Sequence, residues 1–186
     1  MRSDGFTYKL VVLTGMVLAL LLLQATGVFY GINEWIDSGL PLIDTPIMNF
    51  LTRLGGDLFL ALFVAFAVLT EWRENGRISR NTVIFILAVA VGLATVGALK
   101  LIFAEPRPGY GTYAFPSGHT FRAAVIAAYG SDRWEKYAPA FWAYAFVIAL
   151  TRLLLHVHWF GDVLFSLIFA PWLYLLLKSL LGGKFE

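Results

Sequence analysis

The chain has 186 residues, of which 59% are hydrophobic and 14% are charged, and its mean hydropathy is +0.74. This composition lies far from that of a soluble globular domain and indicates an integral membrane protein. The net charge of only +2, with dispersed basic residues, argues against a nucleic-acid partner, and the absence of cysteine excludes disulfides and thiolate metal sites.

Six helical spans are predicted in chain order from the long apolar stretches, because a span needs roughly 20 residues. They cover residues 10–32, 58–72, 81–101, 119–130, 137–155 and 162–181. The first is longer than the apolar part of a typical signal peptide, so we expect it to be retained. The fourth is short and contains Arg122, so a core helix or a re-entrant segment is the alternative there. We therefore expect an all-α, six-transmembrane-helix bundle that forms one domain over residues 1–186.

The basic residues predict the orientation of this bundle, because Lys and Arg accumulate in cytoplasmic loops. Six spans put both termini on one side. Placing that side in the cytoplasm gathers nine of the 14 basic residues there: Arg2, Lys9, Arg73, Arg77, Arg80, Arg133, Lys136, Lys178 and Lys184. Loop 33–57, which is mainly acidic, then lies outside, and its part 36–54 could rest on the outer membrane interface. The expectation is a multi-pass cell-membrane protein with cytoplasmic termini.

Three polar clusters interrupt the apolar sequence at the predicted external ends of spans three to six, and a charge near lipid requires a compensating partner. In the first cluster, Lys100 ends a span and Arg107 follows between Pro106 and Pro108, which restrict the backbone. A guanidinium fork and an ammonium together suit a phosphoryl group. For Lys100 alone, snorkelling to the interface is the alternative.

The second cluster is the segment Pro116, Ser117, Gly118, His119, which is typical of a turn that enters a helix. Ser117 is the predicted N-cap, and Gly118 would let an anion approach the free N–H groups at the helix start. His119 would stand beside that anion. Taken alone, such a turn is common and its histidine usually has no catalytic role.

The third cluster contains Arg152, His156, His158 and Asp162. If the chain is helical from His158, Asp162 lies one turn later, where its carboxylate would accept a hydrogen bond from the imidazole and leave the other ring nitrogen free to attack. An interfacial aromatic belt is one alternative, because Trp159 and Phe160 are adjacent. A metal site built from the two histidines and the aspartate is another, although no further ligand cluster completes it.

The residues of these clusters resemble the type-2 phosphatidic acid phosphatase superfamily, which includes membrane lipid phosphate phosphatases and soluble vanadium-dependent haloperoxidases. The family patterns K-x6-R-P, P-S-G-H and S-R-x5-H-x3-D match residues 100–108, 116–119 and 151–162, with Thr151 as the only departure. The resemblance implies a six-helix core whose active site faces the extracytoplasmic side.

The resemblance also implies the roles of individual residues. His158 would be the nucleophile that forms a phosphohistidine, Asp162 would stabilise its imidazolium, and His119 would be the general acid and base. Phosphate would be held by Lys100, Arg107, Ser117, Gly118 and Arg152. No metal or cofactor is expected. His156 and Arg122 match no family position.

The expected partner is thus a lipid phosphate within the membrane, and the activity is that of a phosphatase. Candidate substrates are phosphatidylglycerol phosphate, phosphatidate and polyprenyl diphosphates such as undecaprenyl diphosphate. A lipid phosphotransferase with the same intermediate and a non-catalytic lipid-phosphate transporter remain alternatives, although a transporter needs neither a nucleophile nor an acid.

Overall fold

The computed structural model describes residues 2–109 and 111–181, and all regular elements in these residues are helical. The helices are α1 (Arg2–Ala25), α2 (Phe29–Gly39), α3 (Pro46–Arg53), α4 (Asp57–Asn75), α5 (Arg80–Phe103), α6 (Gly118–Arg133), α7 (Ala138–Leu154) and α8 (Phe160–Leu181). A short 3₁₀ turn, Glu135–Tyr137, precedes α7. The all-α prediction is confirmed for this part of the chain, and Lys184 of the orientation argument lies outside it.

Four helical segments are long and apolar enough to cross a membrane: Gly5–Ala25, Arg80–Phe103, Glu135–Leu154 and Phe160–Leu181. The pair formed by α3 and α4 passes the same criterion, although it is bent by 43°. The expected fourth span corresponds to α6, which has 16 residues and is not among these segments. The described residues therefore contain four spans, or five if the bent pair is one, and six stays a prediction.

The segment after the first span differs from the sequence-based prediction. α1 ends at Ala25 rather than at residue 32, and α2 begins at Phe29 after a short turn. Residues 33–57, expected as loop, include most of α2 and all of α3, whose N-cap Thr45 accepts a hydrogen bond from the Met48 N–H at 3.2 Å. Hydropathy alone misses the break after Ala25 because apolar residues continue across it.

Helix α6 lies at the centre of the bundle and packs against α5, α7 and α8. This helix buries three alanines completely: Ala123, Ala124 and Ala127. Their small side chains allow the neighbouring backbones to approach closely. On α5, a Cβ at Gly92 would lie 1.9 Å from the Phe121 ring, so only glycine fits there. This packing fixes the position at which α6 begins.

At one end of the bundle, α5 and α7 finish and α6 and α8 begin. We call this end the site end. Hydrogen bonds between its loops hold these helix ends together. The Ser117 N–H donates to the Asp162 carbonyl at 3.2 Å, and the Trp159 indole donates to the Pro106 carbonyl at 2.8 Å. The segment between α5 and α6 is thereby hydrogen-bonded to the segment between α7 and α8 and to the start of α8.

Candidate active site

The residues selected from the three sequence clusters all lie at the site end. Lys100 is in the last turn of α5, Arg107 follows in the loop, Ser117, Gly118 and His119 are at the start of α6, Arg152 is in the last turn of α7, and His158 and Asp162 flank the start of α8. The His158 ring is within electrostatic range of Lys100, Arg107, His119 and Arg152. Residues separated by about sixty positions in the chain thus share one polar site inside an apolar bundle.

His158 and Asp162 are in direct contact. The Nδ1 of His158 lies 3.0 Å from Oδ2 of Asp162, and the same oxygen accepts a hydrogen bond from the Trp159 N–H at 2.9 Å. α8 begins at Phe160, so His158 precedes the helix instead of starting it as the spacing argument assumed. With Nδ1 as the donor to the carboxylate, Nε2 of His158 is the ring nitrogen left for chemistry.

The His158 imidazole is held in its neutral form. Its side chain is 3% exposed, and burial lowers its pKa well below the usual range. The nearby charges of Arg152, Lys100 and Arg107 lower the pKa further. A neutral imidazole carries the free electron pair that a nucleophile needs, so the environment favours attack by Nε2 near neutral pH.

The start of α6 has the geometry of an anion site. Ser117 is its N-cap, as predicted, and its hydroxyl accepts from the Thr120 N–H at 3.5 Å and contacts the Thr120 hydroxyl at 2.9 Å. The first two amides of the helix, those of Gly118 and His119, have no partner within the helix and point out of its positive end. The Ser117 hydroxyl already caps the helix. The two free amides are therefore better placed than this hydroxyl to donate hydrogen bonds to an anion.

Two of the cations are held by backbone carbonyls of the loop that precedes α6. Lys100 Nζ donates to the carbonyls of Tyr113 and Ala114, the latter at 3.2 Å, and Arg107 Nε donates to the Thr112 carbonyl at 3.2 Å. These bonds orient both side chains. An ammonium has three donors and a guanidinium has five, so each cation keeps donors for an anion.

Arg152 is held by Thr52 of α3. Its Nη1 donates to the Thr52 hydroxyl oxygen at 2.6 Å, and Thr151 contacts the same oxygen at 3.1 Å. The hydroxyl of Thr151, the one departure from the family pattern, therefore lies next to the residue that orients Arg152. The Nε of Arg152 is buried and has no hydrogen-bond partner among the residues that the structure describes, so an incoming anion would satisfy it. Sequence reasoning missed Thr52 because 100 residues separate it from Arg152.

The two residues without a family counterpart pair with carboxylates of other helices. Arg122 forms an ion pair with Asp57 at the start of α4, and its guanidinium lies 3.0 Å from where a Cβ on Gly118 would be. A Cβ at position 118 would therefore require the Arg122 guanidinium to shift by a few tenths of an ångström.

His156 pairs with a carboxylate on α2. Its Nδ1 is 2.8 Å from Oδ1 of Asp37 on α2. The metal set considered from the sequence, which combined His156, His158 and Asp162, is not assembled in the described residues.

Comparison with known proteins agrees with this architecture. A family model described as the PAP2 superfamily matches residues 81–184. A crystal structure of a transmembrane PAP2-type phosphatidylglycerolphosphate phosphatase from Bacillus subtilis is similar, with a TM-score of 0.79 and 22% identity over 96% of this chain and 100% of that chain. A structure of LpxE from Aquifex aeolicus is similar with a TM-score of 0.65 and 22% identity over 81% of this chain and 94% of that chain. Because both identities are 22%, these similarities establish the fold alone.

Proposed function

The chain belongs to the PAP2 superfamily, and from this we propose that it is a metal-independent lipid phosphatase that hydrolyses a lipid phosphate monoester or diphosphate. The buried His158–Asp162 pair, set among cations that would hold a phosphoryl group, is the observation that carries the proposal. A protein that only bound or moved a phosphorylated lipid would need the cations but not the nucleophile.

The first step would transfer the phosphoryl group to the enzyme. The Nε2 lone pair of His158 attacks phosphorus in line, and the bond from phosphorus to the lipid oxygen breaks. His119 protonates the departing oxygen, which leaves as an alcohol or, from a diphosphate, as a lipid monophosphate. Asp162 stabilises the positive charge of the phosphohistidine through Nδ1. The equatorial oxygens are held by Lys100, Arg107 and Arg152.

The second step would release the phosphoryl group to water. His119, now neutral, accepts a proton from the water as its oxygen attacks phosphorus, and the bond between phosphorus and Nε2 breaks. Inorganic phosphate leaves and both histidines return to their starting states. Every proton transfer in the cycle uses His119, and no metal ion takes part.

The position of the site supports a lipid substrate. The residues lie at the ends of apolar helices, where a phosphorylated headgroup can reach them while its chains stay in hydrocarbon. The distribution of basic residues supports an extracytoplasmic site. The similarity to the phosphatidylglycerolphosphate phosphatase from Bacillus subtilis makes phosphatidylglycerol phosphate the first candidate, followed by phosphatidate and polyprenyl diphosphates.

The test is release of inorganic phosphate by the purified protein in detergent from each of these lipids, with no second lipid present. His158→Ala should release none, and His156→Ala is the matched control because its ring pairs with Asp37 on α2 and it has no assigned role in the reaction. Full activity in His158→Ala would exclude the proposed nucleophile. A requirement for an acceptor lipid would identify a phosphotransferase, and no turnover with any of the lipids would contradict the proposed phosphatase.

A further inference from the structure

Asn33 is a polar residue on the buried face of α2, and the proposed reaction does not use it. It is 2% exposed and shares this face with Phe29 one turn earlier, whereas Tyr30 and Trp35 of the same helix are exposed. A buried amide destabilises a protein unless its polar atoms find hydrogen-bond partners. The helix otherwise buries an aromatic ring on this face, so the amide of Asn33 indicates a specific partner.

That partner lies at the start of α8. The N–H of Gly161 donates to Oδ1 of Asn33 at 2.9 Å, between positions 128 residues apart. Gly161 is the second residue of α8, and the first amides of a helix have no carbonyl partner within it. The residue before a helix often supplies the missing oxygen, but here that residue is Trp159, whose indole is only a donor. Asn33 therefore caps α8 from another helix.

Helix α2 also rests directly on the backbone at this point. A Cβ at Gly161 would lie 3.2 Å from Cγ of Phe29 and 3.4 Å from Oδ1 of Asn33. The ring would have to move by a few tenths of an ångström to admit it. The capping bond and this close contact together fix the second residue of α8 against α2.

The cap of α8 is linked to the His158–Asp162 pair. Asp162 directly follows Gly161, and its Oδ2 accepts from the Trp159 N–H at 2.9 Å, as the third residue of a capping box does. The same Oδ2 lies 3.0 Å from Nδ1 of His158. One carboxylate oxygen thus serves both the start of the helix and the imidazole, so a shift of the first turn of α8 would move this oxygen relative to His158.

We propose that Asn33 is a positioning residue that holds the first turn of α8 and thereby keeps the Asp162 carboxylate against His158. This inference rests on the proposed function, because the position of Asp162 affects turnover only if His158 is the nucleophile. Asn33 acts through Gly161 and Asp162 and has no assigned contact with the phosphoryl group.

The decisive comparison is between Asn33→Asp and Asn33→Leu in the full-length protein. Aspartate keeps an oxygen that accepts from Gly161, and a negative charge is favourable at a helix N-terminus, so Asn33→Asp should keep kcat within about threefold of wild type. Leucine is similar in size but leaves the buried N–H unpaired, which should lower kcat about tenfold or more, with KM changed by less than about twofold. Asn33→Ala also lacks an acceptor and carries the same expectations if the leucine variant does not fold.

Asp37→Ala is the matched control within α2. Asp37 lies one turn after Asn33 and pairs with His156 at 2.8 Å, so its replacement removes another contact of α2 without touching the Gly161 N–H. Its kcat should stay within about twofold of wild type. A loss as large as that of Asn33→Leu would overturn the proposal, because turnover would then require the docking of α2 in general rather than the cap.

Three results from the Asn33 variants would also overturn the proposal. Equal loss of kcat in Asn33→Asp and Asn33→Leu would show that the acceptor oxygen is not the feature that matters. A rise in KM at constant kcat would identify Asn33 as a substrate contact. Wild-type kcat in a folded Asn33→Leu would show that the cap has no influence on turnover.

Hydrogen exchange separates failure of this inference from failure of the proposed function. The Gly161 amide, followed by NMR, should exchange about tenfold faster or more in Asn33→Leu than in wild type, and Asn33→Asp should stay close to wild type. If the wild-type protein releases no phosphate, the proposed function fails, but the exchange rates still test the cap. Unchanged exchange of Gly161 in Asn33→Leu would overturn the inference whatever the activity.

Discussion

Replacement of Asp162 by Asn tests the central pair of the site most directly. The substitution keeps the size of the side chain but removes the negative charge that faces the His158 imidazolium formed during attack. At the 3.0 Å contact distance and an effective dielectric of about 20, that attraction amounts to about 5.5 kcal/mol. If the delocalised charge centres are about 1 Å further apart, it is about 4 kcal/mol.

These energies predict that kcat of Asp162→Asn falls by about 10³ to 10⁴. KM should change little, because the cations that bind phosphate remain. The assay is steady-state phosphate release from phosphatidylglycerol phosphate in detergent, or from whichever candidate lipid the wild-type protein hydrolyses. Asp132→Asn is the control, since Asp132 accepts from Tyr174 at 2.8 Å at the opposite end of α6. A loss smaller than about tenfold, with Tm unchanged, would refute the assigned role of Asp162.

Four further outcomes are expected. His119→Ala should lower kcat for lipid substrates by about 10² or more but impair an aryl phosphate less, because a good leaving group needs no proton; equal losses would contradict a general acid. Thr52→Val removes a hydrogen bond to the charged Arg152 and should reduce kcat/KM about tenfold, with Tm checked in parallel. The pH profile of kcat/KM should be bell-shaped because His158 must be neutral and His119 protonated, and since burial and the nearby Arg152 lower the pKa of both histidines, both limbs should lie below pH 6.5. Turnover should persist in excess EDTA; loss that a divalent ion restores would instead support a metal site.

The residues of the candidate site could be picked out from the sequence because they are polar or charged within an otherwise apolar pattern. A cation such as Lys100 or Arg152 next to hydrocarbon requires a compensating partner, and local spacing alone was sufficient to pair His158 with Asp162. The N-cap at Ser117 was also a local feature. The roles of these residues in turnover stay predictions that the experiments above test.

The boundaries of the helices were less predictable. Hydropathy measures how long a segment stays apolar, so it detected α5 and α8 but extended α1 across the turn that follows Ala25. α6 is short and carries Arg122, so its membrane topology depends on the helices that surround it rather than on its own composition.

The sequence by itself determined the membrane class, the helical architecture and the set of charged residues that gather at the site end. Only the tertiary structure decided which distant residues contact these charged residues: Thr52 lies beside Arg152, and Asp57 lies beside Arg122. Thr52 and Arg152 lie 100 residues apart, and no local spacing indicates their contact. Contacts between residues far apart in the chain follow from how the helices pack, and packing leaves no periodic signal in the local sequence.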